Sequence, residues 1–319
     1  MDYDVIGDVH GQAPKLRALL SRLGYVQRDG AMRHPTRKAI VVGDFIDRGP
    51  HQLETLDIVR PMVDAGSALA TMGNHEFNAI AWYLCDPDQD DEYLRPRKGE
   101  KGEKNRHQHV AFLAEVEHKP AIHSEIVNWF LGLPLWLDLP ELRVIHACWH
   151  PGYLAELEPR LKPGRRLDDA LMVKANRKSE VEYRMIESLL KGVEVQLPPG
   201  HSFKDKSGHT RHEARTRWWD TTATTYRQAA LVPSEDRAQL PDIEIPEHLR
   251  IGYTGDKPVF VGHYWMTGQP EVLAPQVACV DYSAGKGGPL VAYRWSGEPV
   301  LSSSSFVLSS EGDGHAYGV

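Results

Sequence analysis

The feature that most constrains this chain is a unit that occurs three times in its first third: a short apolar strand, a loop rich in Gly, Asp, His or Asn, and then a helical pattern. Residues 4–6 run into Gly7-Asp8-Val9-His10-Gly11 and a helix carrying Leu16, Leu19, Leu20 and Leu23. Residues 39–42 run into Gly43-Asp44-Phe45-Ile46-Asp47-Arg48-Gly49-Pro50 and a helix through Leu53, Leu56, Ile58 and Val59. Residues 68–72 run into Gly73-Asn74-His75-Glu76 and a helix through Ile80 and Leu84. Strand–loop–helix units of this kind favour parallel pairing, which gathers polar loop residues at the carboxyl ends of neighbouring strands.

The rest of the chain is less regular. Residues 86–119 are rich in Lys, Glu, Arg and Asp and read as an inserted cap or loop leading into a helix, with a solvated surface as the favoured explanation. Strands are expected at 135–139 and 142–145, the second ending at His146, and a polar helical stretch at 167–190. Residues 198–250, rich in His, Arg, Thr and Pro, read as long loops. Strands resume at 259–261, 277–280 and 290–294, the last in a hairpin with 299–301, and the Ser-rich end after Leu301 reads as loosely held. A chain of 319 residues with 41% hydrophobic and 25% charged residues has ordinary globular composition, so wholesale disorder is excluded. The formal charge of −7 argues against a non-specific nucleic-acid binder. Three cysteines without a CxxC pair suggest neither a disulfide framework nor a thiolate zinc site, and a reducing cytoplasm fits best. No apolar stretch approaches membrane-spanning length, and no signal-like leader opens the chain.

Five strand ends carry metal-ligand chemistry: Asp8 with His10, Asp44, Asn74, His146 and His263. Carboxylate, imidazole and amide oxygen together suit manganese, iron or zinc better than calcium or copper. Any one of these histidines taken alone is more often structural than ligating. Their conjunction changes the odds, because each follows an apolar strand and all but His146 stand beside a glycine, so that one parallel sheet would bring all five to a single edge.

Gly7-Asp8-Val9-His10-Gly11, the run from Gly43 to Gly49 and Gly73-Asn74-His75-Glu76 resemble the successive signatures of the calcineurin-like metallophosphoesterases. The opening from Tyr3 to Gly11, Gly262-His263-Tyr264-Trp265 and Val280-Asp281-Tyr282-Ser283-Ala284 narrow the resemblance to the branch of serine/threonine protein phosphatases and symmetrical diadenosine tetraphosphatases, including the bacterial PrpE type. The resemblance implies an α/β (α+β sandwich) fold of four layers, two mixed β-sheets packed together and flanked by helices. The expected organisation is one domain over 1–301 with insertions at about 86–130 and 150–250, then a tail at 302–319.

Carried over position by position, the family pattern implies one divalent ion held by Asp8, His10 and Asp44 and a second held by Asp44, Asn74, His146 and His263, with Asp44 shared. Manganese is favoured, with iron, zinc, nickel or magnesium as alternatives. His75 then resembles the general acid, Asp47 its carboxylate partner, and Arg48, with Asn74 and His75, the contacts to the substrate phosphate. His146 is followed by Ala147-Cys148-Trp149-His150 where the family commonly has small residues, so His150 is a rival ligand, although His146 takes the strand-end position.

The expected function is hydrolysis of a phosphomonoester or nucleoside polyphosphate by in-line attack of hydroxide between the two ions, on a small molecule, nucleotide or phosphoprotein. Glu76 and Asp47 tilt slightly towards phosphomonoesters. Nucleic-acid end processing is an alternative that the net acidity disfavours, and a third is an inactive metal-binding scaffold, which would predict a broken ligand or acid. His201, Lys204, Lys206, His209, Arg211, His212, Arg215 and Arg217, followed by Trp218 and Trp219, read either as a basic rim around the substrate or as a solvated loop beside two core tryptophans.

Overall fold

A computed structural model describes residues 1–204, 210–232 and 234–310. Ten strands form two mixed sheets. The first holds β1 (Asp2–Ile6), β2 (Arg37–Val41), β3 (Ala68–Ala70), β9 (Val291–Trp295) and β10 (Phe306–Leu308) in the order β10-β9-β1-β2-β3. The second holds β4 (Trp136–Asp138), β5 (Arg143–Ile145), β6 (Val259–Val261), β7 (Val272–Ala274) and β8 (Val277–Cys279) in the order β7-β8-β6-β5-β4. Within them β1, β2 and β3 pair in parallel, as do β5, β6 and β8, while β4, β7, β9 and β10 pair antiparallel.

Both faces of the central strands are covered, which explains their unbroken apolar runs. Side chains alternate along a strand. Val5 and Ile40 of the first sheet therefore meet Val144, Phe260 and Ala278 of the second in one apolar cluster. Their neighbours Ile6, Val41, Ile145, Val261 and Cys279 point the other way, into the larger core shared with the helices. The helices α1 (Ala13–Leu23), α2 (Gln52–Asp64) and α3 (Asn74–Tyr83) follow β1, β2 and β3, as the repeated unit predicts. In α1, Leu16, Leu19, Leu20 and Leu23 form one buried stripe, and Gly24 ends the helix at φ 90° with its N–H returned to the Leu20 and Ser21 carbonyls.

Several expectations shift. The 86–130 segment is not a solvated loop: α4 (Gly99–Val116) buries Asn105, His109, Phe112, Leu113 and Val116, and α5 (Pro120–Leu131) buries Ile126, Val127 and Phe130. The polar middle folds as α6 (Pro151–Leu157), α7 (Asp169–Ala175) and α8 (Val181–Lys191). Val195, Leu197, Tyr226, Leu240 and Ile245, with other described residues between 195 and 249, close a small core of their own. The partner of β9 is Phe306–Leu308 and not 299–301, so the chain from 302 to 310 is held by the sheet. Residues 311–319 lie outside the described residues. Among the described residues no helix is long and apolar enough to cross a membrane.

Candidate metal centre and active site

The loops after β1, β2, β3, β5, β6 and β8 meet where the two sheets face each other, so the five ligand clusters come from two sheets, not the edge of one. The N–H groups of Val9 and His10 both donate to the Asp44 carbonyl, at 3.0 and 2.8 Å, and that of Gly11 donates to the Phe45 carbonyl at 2.8 Å, stitching the first two loops together. Two glycines are required by close approach. A Cβ at Gly262 would lie 2.0 Å from Asp8 Oδ1, and one at Gly73 would lie 2.2 Å from Asp44 Oδ1.

At the centre stands Asp44, buried, whose Oδ2 is 3.4 Å from His146 Nε2, 3.7 Å from His10 Nε2 and 3.9 Å from His75 Nε2. The donor atoms form two overlapping sets, His10–Asp44–His75 and Asp44–His146–His263, each with all atoms within 4.8 Å of one another. Asn74 Oδ1 joins the second set, 2.7 Å from His263 Nδ1 and 3.1 Å from His146 Nε2. Asp8, expected with His10 and Asp44, is in neither set: its Oδ2 accepts from the His263 N–H at 3.0 Å, and its Oδ1 is buried without a hydrogen-bond partner. His150 is no rival. Its Nδ1 accepts from the Tyr153 N–H at 3.3 Å at the start of α6, and its ring stacks on Tyr153.

The donor chemistry fits divalent cations. His10 Nδ1 donates to the Ile46 carbonyl at 2.9 Å and His146 Nδ1 to the Val42 carbonyl at 2.8 Å, so each ring turns its Nε2 into the centre. Burial lowers the His146 pKa, but Asp44 and Asp8 more than offset that and lift it to about 10, so this ring must shed a proton to hold a cation. His10 Nε2 is buried without a partner. Burial and the neighbouring His75 pull the His10 pKa down to about 4, and burial with Arg215 holds His263 well below its ordinary value, so both rings are neutral, as ligands must be. Burial, helped by Asp281 and Asp44, pushes Asp8 well up, and burial drives Asp281 to about 6. A pocket that buries several carboxylates beside inward-facing imidazole lone pairs is electrostatically suited to cations.

His75 sits on the outer side of this centre. Its Nδ1 donates to Asp47 Oδ2 at 2.5 Å, which leaves Nε2 facing the pocket. Burial lowers its pKa, but Asp44 and Asp47 more than offset that and hold it above the ordinary value. Arg48 is exposed at the pocket rim with its guanidinium 5.6 Å from the Trp265 ring. The pocket, about 260 Å³, is lined by Asp44, Asp47, Arg48, Asn74, His75 and His263, and also by Arg95, Lys191 and Arg215.

Sequence reasoning missed three supports. Glu76, fully buried, accepts the backbone N–H groups of Asp44 at 2.7 Å, Phe45 at 2.9 Å and Gly73 at 3.0 Å, and so braces the turn that presents Asp44. Asp281 accepts those of Trp265 at 2.7 Å and Ser283 at 3.0 Å, bracing the loop of His263. His109 of α4 reaches Asp47. The adjacency of Glu76 to the His75 motif was a visible signal, whereas nothing local marks His109. Of the basic run, Arg215 lines the pocket, Trp218 and Trp219 are buried core, and Lys206 and His209 lie outside the described residues.

A model of the calcineurin-like phosphoesterase family matches residues 1–221. The chain belongs to that family. Among calcineurin-like phosphoesterase relatives it is 43% identical over 171 residues to the Bis(5'-nucleosyl)-tetraphosphatase PrpE [asymmetrical] of Bacillus cereus, a match covering 51% of this chain and 63% of that one. It is 43% identical over 76 residues to the protein of the same name from Halalkalibacterium halodurans, covering 24% and 31% of the two chains. The chain thus spans less than two thirds of the length of these curated relatives. Their names carry the asymmetrical designation, where the motifs had pointed to the symmetrical tetraphosphatases. Among solved structures, a cold-active protein-tyrosine phosphatase of a psychrophilic Shewanella is similar at 15% identity and a TM-score of 0.47, covering 97% of this chain and 80% of that one.

Proposed function

We propose that this protein hydrolyses a phosphate ester or anhydride in a site that takes two divalent cations, with a nucleoside polyphosphate as the substrate class. The observation that carries the reading is Asp44 Oδ2 standing among the Nε2 atoms of His10, His146 and His75, as a shared carboxylate between two ligand sets must. Asp8, His10 and Asp44 would hold one cation, and Asp44, Asn74, His146 and His263 the other. Mixed carboxylate, imidazole and amide donors suit manganese first, with iron, zinc, nickel or magnesium as alternatives. An inactive scaffold would carry a broken ligand or acid; against it, Asp44, Asn74, His75 and His263 line one pocket, and His10 and His146 join Asp44 in the two donor sets.

Bound there, the cations supply Lewis-acid activation, lowering the pKa of water and drawing charge from the phosphoryl oxygens. The chain's own residues do the rest. Water oxygen forms the new P–O bond while the bond to the leaving group breaks, and His75 gives its Nε2 proton to the departing oxygen, to be replaced by the proton that water loses. Asp47, which accepts from His75 Nδ1, keeps the ring oriented and favours its charged form. Arg48, Arg95, Lys191 and Arg215 around one pocket favour a substrate with more than one phosphate, as the names of the relatives also do. Where the motif residues tilt towards a phosphomonoester, this basic lining tilts back. The three cysteines are free thiols, which fits work in a reducing cytoplasm.

The test is turnover of diadenosine tetraphosphate and of p-nitrophenyl phosphate with Mn²⁺, alongside metal content by elemental analysis. Two metals per chain are expected. Asp44→Asn should lower kcat at least about a hundredfold with loss of metal, and His75→Ala should lower tetraphosphate hydrolysis roughly a hundredfold or more with metal retained. Unchanged rates would remove the mechanism; turnover of the monoester alone would move the substrate to the phosphomonoester side.

A further inference from the structure

The insertion helix α4 is joined to the proposed acid by a contact that the metal chemistry does not require. Asp47 uses both carboxylate oxygens on histidines: Oδ2 accepts from His75 Nδ1 at 2.5 Å, and Oδ1 accepts from His109 Nδ1 at 2.8 Å. His109 is buried, and its ring packs against Phe112 at 5.0 Å and Trp82 at 6.2 Å between centroids, so its orientation is set by the core of the insertion. Asp47 sits at φ 70° and its N–H donates to Gln52 Oε1 at 2.6 Å. A carboxylate pinned at the backbone on one side and at Oδ1 on the other has little freedom to rotate. The next residue back on α4, Gln108, accepts from Arg95 at 2.8 Å, and Arg95 also donates to Asn78 Oδ1 at 2.8 Å. Asn78 is one turn along α3 from His75, so α4 braces the acid's carboxylate and the acid's own helix face from adjacent positions.

We infer that His109 is a positioning residue for the proposed reaction: its Nδ1–H fixes the Asp47 carboxylate so that Asp47 holds His75 with Nε2 aimed at the leaving group, which makes the 86–130 insertion part of the acid's machinery. Two N–H donors on one carboxylate stabilise its ionised form, and the three residues, all of which border the pocket, are each no more than 7% exposed. Loss of the His109 bond frees Asp47 Oδ1 to turn, and His75 Nε2 swings with it. A displacement of this size weakens proton donation without touching a proposed metal ligand.

This inference rests on the phosphoesterase reading, and leaving-group dependence separates the two. A misplaced acid matters for a poor leaving group and hardly at all for one that departs as a stable anion. His109→Phe keeps the ring packing and removes the donor, whereas His109→Asn keeps a donor near the Nδ1 position. With Mn²⁺, His109→Phe should lower kcat on phenyl phosphate tenfold to a hundredfold and on 2,4-dinitrophenyl phosphate less than about threefold, with KM within about twofold and metal content unchanged. His109→Asn should recover most of the loss. Equal losses on both esters, or an Asn variant no better than Phe, would overturn the assignment. A second readout does not depend on turnover: the short His75 Nδ1–H bond should give a far-downfield proton resonance that is lost or shifted in His109→Phe and restored in His109→Asn. An unmoved resonance overturns the His109 assignment whether or not the wild type hydrolyses either ester, whereas only failure on diadenosine tetraphosphate as well would sink the phosphoesterase reading.

Discussion

Ten non-glycine residues among the described ones have positive φ, and seven of them belong to the site loops: His10, Asp44, Asp47, Arg48, His263, Trp265 and Ser283. Left-handed backbone costs a non-glycine residue on the order of 1–2 kcal/mol, so it persists only where the surroundings over-determine it. Glu76 shows how that is done at Asp44. Its carboxylate takes three backbone N–H groups that would otherwise be buried and unpaired. Burial and the nearby Asp44 push the Glu76 pKa up to about 7, and His75, His146 and the Asp44 N–H work against that rise. Glu76→Gln should therefore destabilise the fold by about 1–3 kcal/mol, since one amide oxygen cannot replace two carboxylate oxygens. It should also weaken metal affinity roughly tenfold to a hundredfold, because Asp44 loses its brace. Chemical denaturation and metal titration check the two effects separately; wild-type values in both would show that the brace is idle. At this scale the candidate Asp, His and Asn donors could be picked out, because each ends an apolar run and all but His146 stand beside a glycine. The bracing role of Asp281 could not be, although its motif was visible, and neither could His109, since a buried imidazole in a helix has no local signature.

Among the elements, α4 and α5 carry the greatest departure from what composition implied. Charged residues dominate the start of α4, yet its other face buries Asn105, His109 and Phe112 against α5 and the pocket. His123 of α5 is buried beside Phe112 and Tyr83, with ring centroids at 5.6 and 4.9 Å. Burial, aided by His109 and Arg97, pulls its pKa from 6.5 down to about 4. The native state thus refuses a proton that the unfolded chain accepts. Stability from this source is intact above the unfolded pKa of about 6.5 and falls as pH drops from there towards 4. His123→Phe should accordingly lose less Tm between pH 7 and pH 4.5 than the wild type does. Parallel Tm-against-pH curves would show the prediction wrong. The strands were easier to read than this insertion, because β1, β2, β3, β5 and β6 are buried on both faces and their apolar runs are continuous.

For the whole molecule, the notable fact is that one centre is shared by two sheets: His10, Asp44 and Asn74 follow strands of the first, and His146 and His263 follow strands of the second. Cations held there would tie the sheets together, so ligand binding and global stability are linked. At a free metal concentration about a hundredfold above Kd, the linkage is worth about 2.7 kcal/mol. Chelation should lower the Tm of the wild type and Mn²⁺ should restore it, whereas Asp44→Asn should respond to neither. A wild type whose Tm ignores chelator and metal alike would argue against occupancy of this centre. The small core of residues 195–249 also reaches the site at this scale. Its neighbour Trp218 donates to the Ala147 carbonyl at 3.1 Å and to Tyr264 Oη at 2.9 Å, next to the His146 and His263 loops, and Arg215 lines the pocket.

The residue order alone determined the repeated strand–loop–helix units, the ligand types at strand ends and the family to which those motifs point, because short-range periodicity and glycine placement are local properties. Only tertiary structure decided that the candidate metal donors come from two facing sheets, that His150 caps a helix, and that an insertion rich in charge buries a histidine against Asp47. Those outcomes depend on contacts between residues tens to hundreds of positions apart, and packing, not local propensity, selects among them.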